Sequence, residues 1–284
     1  MRRGILFGAI ILFALVWAGS AFGAGFALIE QSVSGLGSAF SGGSAAALDA
    51  TTVYYNPAGM TRLEGTQAVA GLHLIRPRSE FKNSEGSSVS LAFGGGTLTG
   101  SDGGQAGETG FAPNFYITQQ LANGWTVGLG VNAPFGLVTD YQQGWQGRYH
   151  ALRSDVYTIN INPSIAYKVN DHLSIGAGVS AQYIEAQLTN AVDFGSIAYA
   201  SSGFDPSLAG LVQNADGKAK LEANDWGYGF NLGLLYEFSP GTRLGLAYRS
   251  RIEYTLDGSA KFNVPTTISG IPVLGPGIAI GHRL

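Results

Sequence analysis

From Trp226 to Phe238 the chain alternates. Trp226, Tyr228, Phe230, Leu232, Leu234, Tyr236 and Phe238 form one series, with Gly227, Gly229, Asn231, Gly233, Leu235 and Glu237 between them. Successive side chains of a strand point to opposite faces, so this stretch has one apolar, aromatic face and one face rich in glycine and polar groups. The same period runs from Trp125 to Gly136, from Tyr157 to Val169, from Leu173 to Tyr183 and from Leu244 to Tyr254. Weaker versions lie at about 67–77 and 111–121. Seven strands are predicted.

A soluble sandwich also alternates, so the connections decide. Asn123-Gly124, Asn170-Asp171 and Pro240-Gly241 are tight-turn pairs. The other connections, about 78–110, 137–154 and 190–224, are long. Short turns on one side, long loops on the other and strands of about ten residues or more describe an antiparallel transmembrane β-barrel. Aromatics near strand ends, among them Trp125, Phe135, Tyr157, Tyr167, Tyr183, Trp226, Phe238 and Tyr254, suit its interfacial girdles. Seven strands do not close such a barrel, because strand numbers are even and an open edge cannot face hydrocarbon. The tail from about Phe262, with Pro265, Gly270, Pro272, Gly275, Pro276 and Gly277, reads as loop. The expectation is the N-terminal portion of a larger barrel.

Composition agrees. Charged residues are 12%, about half the usual share of about 25%, and glycine accounts for 43 of 284 residues. A lipid-facing band accounts for the scarcity of charge. A net charge of −3 argues against a basic nucleic-acid binder. The absence of Cys excludes disulfides and Cys-ligated metal. His73, His150, His172 and His282 are scattered, without a metal or nucleophile motif. No enzyme is expected; a barrel-embedded hydrolase would need Ser, His and an acid clustered on one wall. Arg2-Arg3, the apolar run Ile5 to Trp17 and small residues at Ala21 and Gly23 read as a cleaved signal peptide over 1–23. An N-terminal anchor is the alternative, but the run is short for a span.

Residues 24–65 lack strand alternation. They carry Gly25-Phe-Ala-Leu-Ile-Glu-Gln-Ser-Val-Ser-Gly-Leu-Gly-Ser-Ala-Phe-Ser-Gly-Gly43, then Asp49 and Asn56-Pro57-Ala58-Gly59-Met60. A second block runs from Asn224 to Phe238, followed by Ala247-Tyr-Arg-Ser250. On these residues the chain resembles the FadL family of outer-membrane long-chain fatty acid transporters, related members of which take up aromatic hydrocarbons. The resemblance implies a fourteen-stranded barrel, with an N-terminal hatch at 24–65 and part of the barrel at 66–284. It also implies capture among extracellular loops, transfer to a deeper pocket and lateral exit at a kinked third strand. The implied location is the outer membrane of a Gram-negative bacterium. The implied partners are a hydrophobic small molecule, outer-membrane lipid and barrel-assembly machinery, with no nucleic acid, no cofactor and a monomeric state.

Gating maps to Asn56, Pro57 and Ala58, and the kink to Asn132, Pro134, Phe135 and Gly136. Pro134 has no amide to donate to a ladder, and Gly136 admits conformations closed to other residues. The alternative is that Phe135 and Gly136 simply end the strand. Phe26 is a candidate contact in the deep pocket, and a disordered terminus is its competing reading. Arg243, Arg249 and Arg251 are expected on the inward face of the last strand. Arg249 could there meet a fatty carboxylate or join a salt network with Glu237 and Glu253. The third long loop is unusually apolar, with Phe194, Ile197, Tyr199, Phe204, Leu208, Leu211 and Val212. It is the candidate capture groove, with a short helix near Pro206 to Gln213, against self-packing of the loop. Fatty acids, neutral aromatic hydrocarbons and a purely structural or adhesive barrel remain the alternatives for function.

Overall fold

The computed structural model describes residues 27–83 and 96–268. Phe26, the segment read as a signal peptide and the tail beyond 268 lie outside the described residues.

The strands are β1 (Thr66–Ile75), β2 (Gly110–Gln120), β3 (Trp125–Asn132), β4 (Gly136–Asp140), β5 (Arg153–Lys168), β6 (Leu173–Asp193), β7 (Asp216–Ser239), β8 (Thr242–Arg249) and β9 (Asp257–Asn263). They form one curled antiparallel sheet in the order β1-β2-β3-β5-β6-β7-β8, with β4 also on β5 and β9 also on β7. Among the described residues the wall therefore has seven strand positions, and two of them are interrupted. Several strands run further toward the loops than the alternation suggested. β5 begins at Arg153, β6 ends at Asp193 and β7 begins at Asp216, which shortens the third loop to 194–215. The tail expected to be loop from Phe262 is still strand to Asn263, paired with β7 through Lys218.

The period-two pattern sets the two faces. Ile159, Ile165, Val179, Tyr228, Leu232, Leu246 and Tyr248 are exposed on the convex face. Thr126, Thr158, Asn160, Asn162, Ser180, Gln182 and Asn231 are buried on the concave face. Tyr157 and Tyr167 lie ten residues apart on β5, and Trp226 and Tyr236 lie ten apart on β7. At about 3.3 Å per residue this is about 33 Å along a strand. A tilt of about 40° turns it into about 25 Å, the height of an outer-membrane apolar band. Rings join across strands at both edges of the band. Trp125 and Tyr167 are 4.6 Å apart at the turn end, and Tyr183 and Trp226 are 5.4 Å apart at the loop end.

The N-terminal segment packs on the concave face. It contains α1 (Gly43–Ala46), α2 (Thr52–Tyr55) and a 3-10 turn at Pro57–Arg62. Val53 and Met60 form a core with Ala50, Tyr116 and Ala166. The third loop holds α3 (Phe194–Ser201) and a 3-10 turn at Pro206–Leu211.

Candidate functional site

Asn56 is fully buried and caps the 3-10 turn that Pro57 begins. Its side-chain oxygen accepts from the Ala58 amide at 3.0 Å, and its Nδ2 donates to the carbonyls of Ser44 at 2.6 Å and Leu234 at 3.0 Å. One side chain thus joins α1, the turn and the β7 wall. Its neighbours on the wall are Gly176 and Gly233, where an added Cβ would strike Pro57, Ala58 or Asn56 itself. Further bonds tie the segment down. Thr61 reaches Ser174 at 2.7 Å, Arg62 pairs with Glu237, and Arg243 donates to the Ala46 carbonyl at 2.9 Å.

The third wall position breaks after Asn132. β3 pairs Asn132 with Asn160, and β4 resumes with Gly136 against Tyr157. Three residues on one side thus face two on the other, so the register advances by one residue. A one-residue slip turns the following side chains to the opposite face. This corrects the reading of Phe135 as an outward girdle residue: it lines the interior. Its amide and carbonyl bond to Thr158 Oγ1, each at 3.0 Å, so the break does not strand them.

The N-terminal segment crosses this break on the inside. The Leu28 amide donates to the Pro134 carbonyl at 2.9 Å, and Ala27 bridges Phe135. Gln31, buried, donates to the carbonyls of Leu28 and Ala133 and accepts from Asn132 Nδ2 at 2.7 Å. Asn160 continues the chain by donating to Asn132 Oδ1 at 3.0 Å.

Two cavities flank Ala27. The inner one, of about 380 Å³, is lined by Phe135, Val156, Ile184, Ile252 and Tyr254, together with Arg249 and Arg251. The outer one, of about 240 Å³, lies where β2 leaves its ladder: beyond Asn114–Asn132, the next bridge across is Gly107–Thr139. Phe111, Leu137 and Tyr157 line it, and Ala27 and Val156 belong to both cavities. Arg249 stacks over the Tyr54 ring at 4.5 Å and donates to the Tyr54 carbonyl at 2.8 Å. Burial pushes the Tyr54 phenol above its ordinary range, while the Arg249 charge opposes that shift. Among the described residues no carboxylate pairs with Arg249.

Residues 14–281 match the family model described as outer membrane protein transport protein (OMPP1/FadL/TodX). The chain belongs to this family. Its relatives include the long-chain fatty acid transport protein of Salmonella typhi, 31% identical over 88% of this chain and 55% of that protein. Outer membrane protein P1 of Haemophilus influenzae is 31% identical over 84% of this chain and 56% of its own length. The chain thus spans a little over half the length of the relatives it matches. A Pseudomonas aeruginosa FadL homologue of known structure shares the fold, with a TM-score of 0.65, 24% identity, and coverage of 85% of this chain and 56% of that one. A mutant of the TodX monoaromatic hydrocarbon channel aligns with a TM-score of 0.52 at 20% identity, over 75% of this chain and 54% of that one. The family is one of outer-membrane transport proteins.

The remaining residues singled out in the sequence are dispersed. Phe194 is buried with Ala215 and Ile268, and Leu211 packs against the same cluster, so both serve the loop's own core. Tyr199 and Phe204 meet edge to face at 5.3 Å, and Phe204 is exposed. Of the three arginines expected inward, Arg243 and Arg249 are on the concave face. Arg251, in the lining of the inner cavity, forms an exposed pair with Glu253 instead. The salt network expected among them reduces to that pair and to Arg62–Glu237. Sequence reasoning missed Gln31, although it lies in the motif that carried the resemblance. A lone buried amide has no periodic signal.

Proposed function

We propose that the protein carries hydrophobic small molecules passively across the outer membrane, with long-chain fatty acids foremost. The third loop, through Tyr199, Phe204 and Leu208, first receives the ligand. The inner cavity then holds it, with the carboxylate at Arg249. Exit is lateral, past Ala27 and through the gap beside Pro134, Phe135 and Gly136. Residues 24–65 act as the hatch, with Asn56, Pro57 and Ala58 fixing it to the wall. Phe26, next to Ala27 in sequence, is proposed as a further ligand contact. Export through a signal peptide at 1–23, barrel-assembly machinery as a partner, outer-membrane lipid as the receiving phase and a monomeric state complete this reading.

The observation that carries it is a largely apolar cavity of about 380 Å³ in whose lining Arg251 is paired with Glu253, whereas Arg249 has no acidic partner among the described residues. A carboxylate would supply that partner through charge-assisted hydrogen bonds. A neutral aromatic hydrocarbon is the second reading, favoured by the apolar lining of Val156, Ile184 and Ile252. Uptake of labelled oleate and of toluene by cells expressing Arg249→Ala separates the two. Fatty acid transport predicts that oleate uptake falls by about tenfold, in line with about 1.5–3 kcal/mol for a hydrogen bond to a charged group, while toluene uptake is unchanged. Equal oleate uptake by both proteins, at equal outer-membrane levels, would remove Arg249 and favour the neutral ligand.

A further inference from the structure

The wall has a second interruption, and it repeats the device of the first. β8 ends with Arg249 opposite Asn231, and β9 begins with Asp257 opposite Asn224. Seven residues of one strand therefore face six of the other, and again the register advances by one residue. The Ser250 amide donates to the Phe230 carbonyl at 2.9 Å and the Phe230 amide to Ser250 Oγ at 2.9 Å, as Thr158 serves Phe135 at the first break. The Thr255 amide turns to the Asp225 carboxylate at 2.6 Å. No proline causes this break.

The slip has a steric consequence. Leu244, Leu246 and Tyr248 face outward, and continued alternation would send Ile252 and Tyr254 outward too. Both instead line the inner cavity. An added Cβ would run into the Ile252 and Tyr254 side chains at Gly227, and into those of Ile252 and Ser250 at Gly229. Glycine at these two inward positions of β7 therefore lets residues 250–256 lie close to the wall. A larger residue there would press Ile252 and Tyr254 toward the cavity centre.

We infer that residues 250–256 form the size-setting wall of the ligand cavity, and that Gly227 and Gly229, through Ile252 and Tyr254, determine how long an acyl chain it admits. This rests on the reading of the cavity as the ligand site. Arg249 stands immediately before the segment, so head and tail of one ligand would be read by consecutive residues of one wall position.

The test is displacement of a bound dansyl-labelled undecanoate from the purified full-length protein by decanoate, tetradecanoate and octadecanoate. Gly229→Ala should weaken octadecanoate by about tenfold, the loss of about two methylenes' burial, and leave decanoate within about twofold. Ile252→Ala should shift the preference toward longer chains, and the Gly229→Ala/Ile252→Ala pair should recover octadecanoate binding. A chain-length profile unchanged in Ile252→Ala, a variant that removes bulk and asks nothing of the fold, would overturn the inference while leaving the ligand site standing. Failure of the unsubstituted protein to bind the probe would instead overturn the ligand site itself.

Discussion

Gly176 and Gly233 are partners in the β6–β7 ladder, and together they form the seat on which Pro57 and Ala58 rest. The absence of two side chains at one level of the wall brings the turn backbone to the sheet. Asn56 can then reach the Leu234 carbonyl. A β-branched residue at either position has nowhere to go except into the turn. Gly233→Val should therefore lift Pro57–Arg62 off the wall and lower the thermal midpoint by several degrees, read by loss of strand circular dichroism. Asn56→Ala removes three hydrogen bonds to backbone groups of Ser44, Ala58 and Leu234, and should cost about 2–4 kcal/mol by the same measurement. A midpoint unchanged in both variants would show that the seat does not hold the segment.

The break after Asn132 is one surplus residue rather than a missing ladder, and this makes it removable. Deleting Phe135 should bring β3 and β4 into a single register on β5 and keep Gly136 opposite Tyr157. The wall beside Phe111 and Leu137 would then close. The expected outcome is oleate uptake reduced by about tenfold or more, with unchanged outer-membrane levels. Undiminished uptake would rule out this gap as the exit.

Most of the barrel wall was legible because lipid on one face and a packed segment on the other impose strict alternation on every strand. Legibility failed where the phase slips. Phe135, Ile252 and Tyr254 continue the outward series on paper, and a one-residue advance in register turns each inward. Register is a relation between strands, and no single stretch of sequence records it. Pro134 marked the first slip through its missing amide; the second, at Ser250 and Arg251, has only ordinary residues. Asn56 was found by resemblance, whereas the reason for its position lies in Gly176 and Gly233, far away in the chain.

The two aromatic rows fix where the bilayer core sits. Leu232 lies between Trp226 and Tyr236 on the exposed face of β7, near the middle of the band. Leu232→Arg should destabilise the protein in lipid vesicles by about 2–4 kcal/mol, whereas Trp226→Arg at the band edge should cost about 0–1 kcal/mol from depth alone. Urea unfolding from vesicles measures both. Equal penalties at the two positions would displace the band from this placement.

Gln31 holds the N-terminal segment across the first break through three hydrogen bonds, to Leu28, Ala133 and Asn132. If that segment separates the inner cavity from the gap, loosening it should raise the open population without altering the wall. Gln31→Leu keeps the volume and removes all three bonds, leaving the buried Asn132 amide group unpaired. The latch should weaken by about 1–3 kcal/mol, equivalent to an increase of about fivefold to 150-fold in opening. The chain has no native cysteine, so a single Leu28→Cys substitution reports that opening through its labelling rate by a membrane-permeant maleimide. Labelling should accelerate by that factor in the Gln31→Leu background and slow when oleate occupies the cavity. The same labelling rate with and without Gln31 would mean that the segment is held by the Leu28–Pro134 bond and its packing alone, and Gln31 would lose its role in the gate.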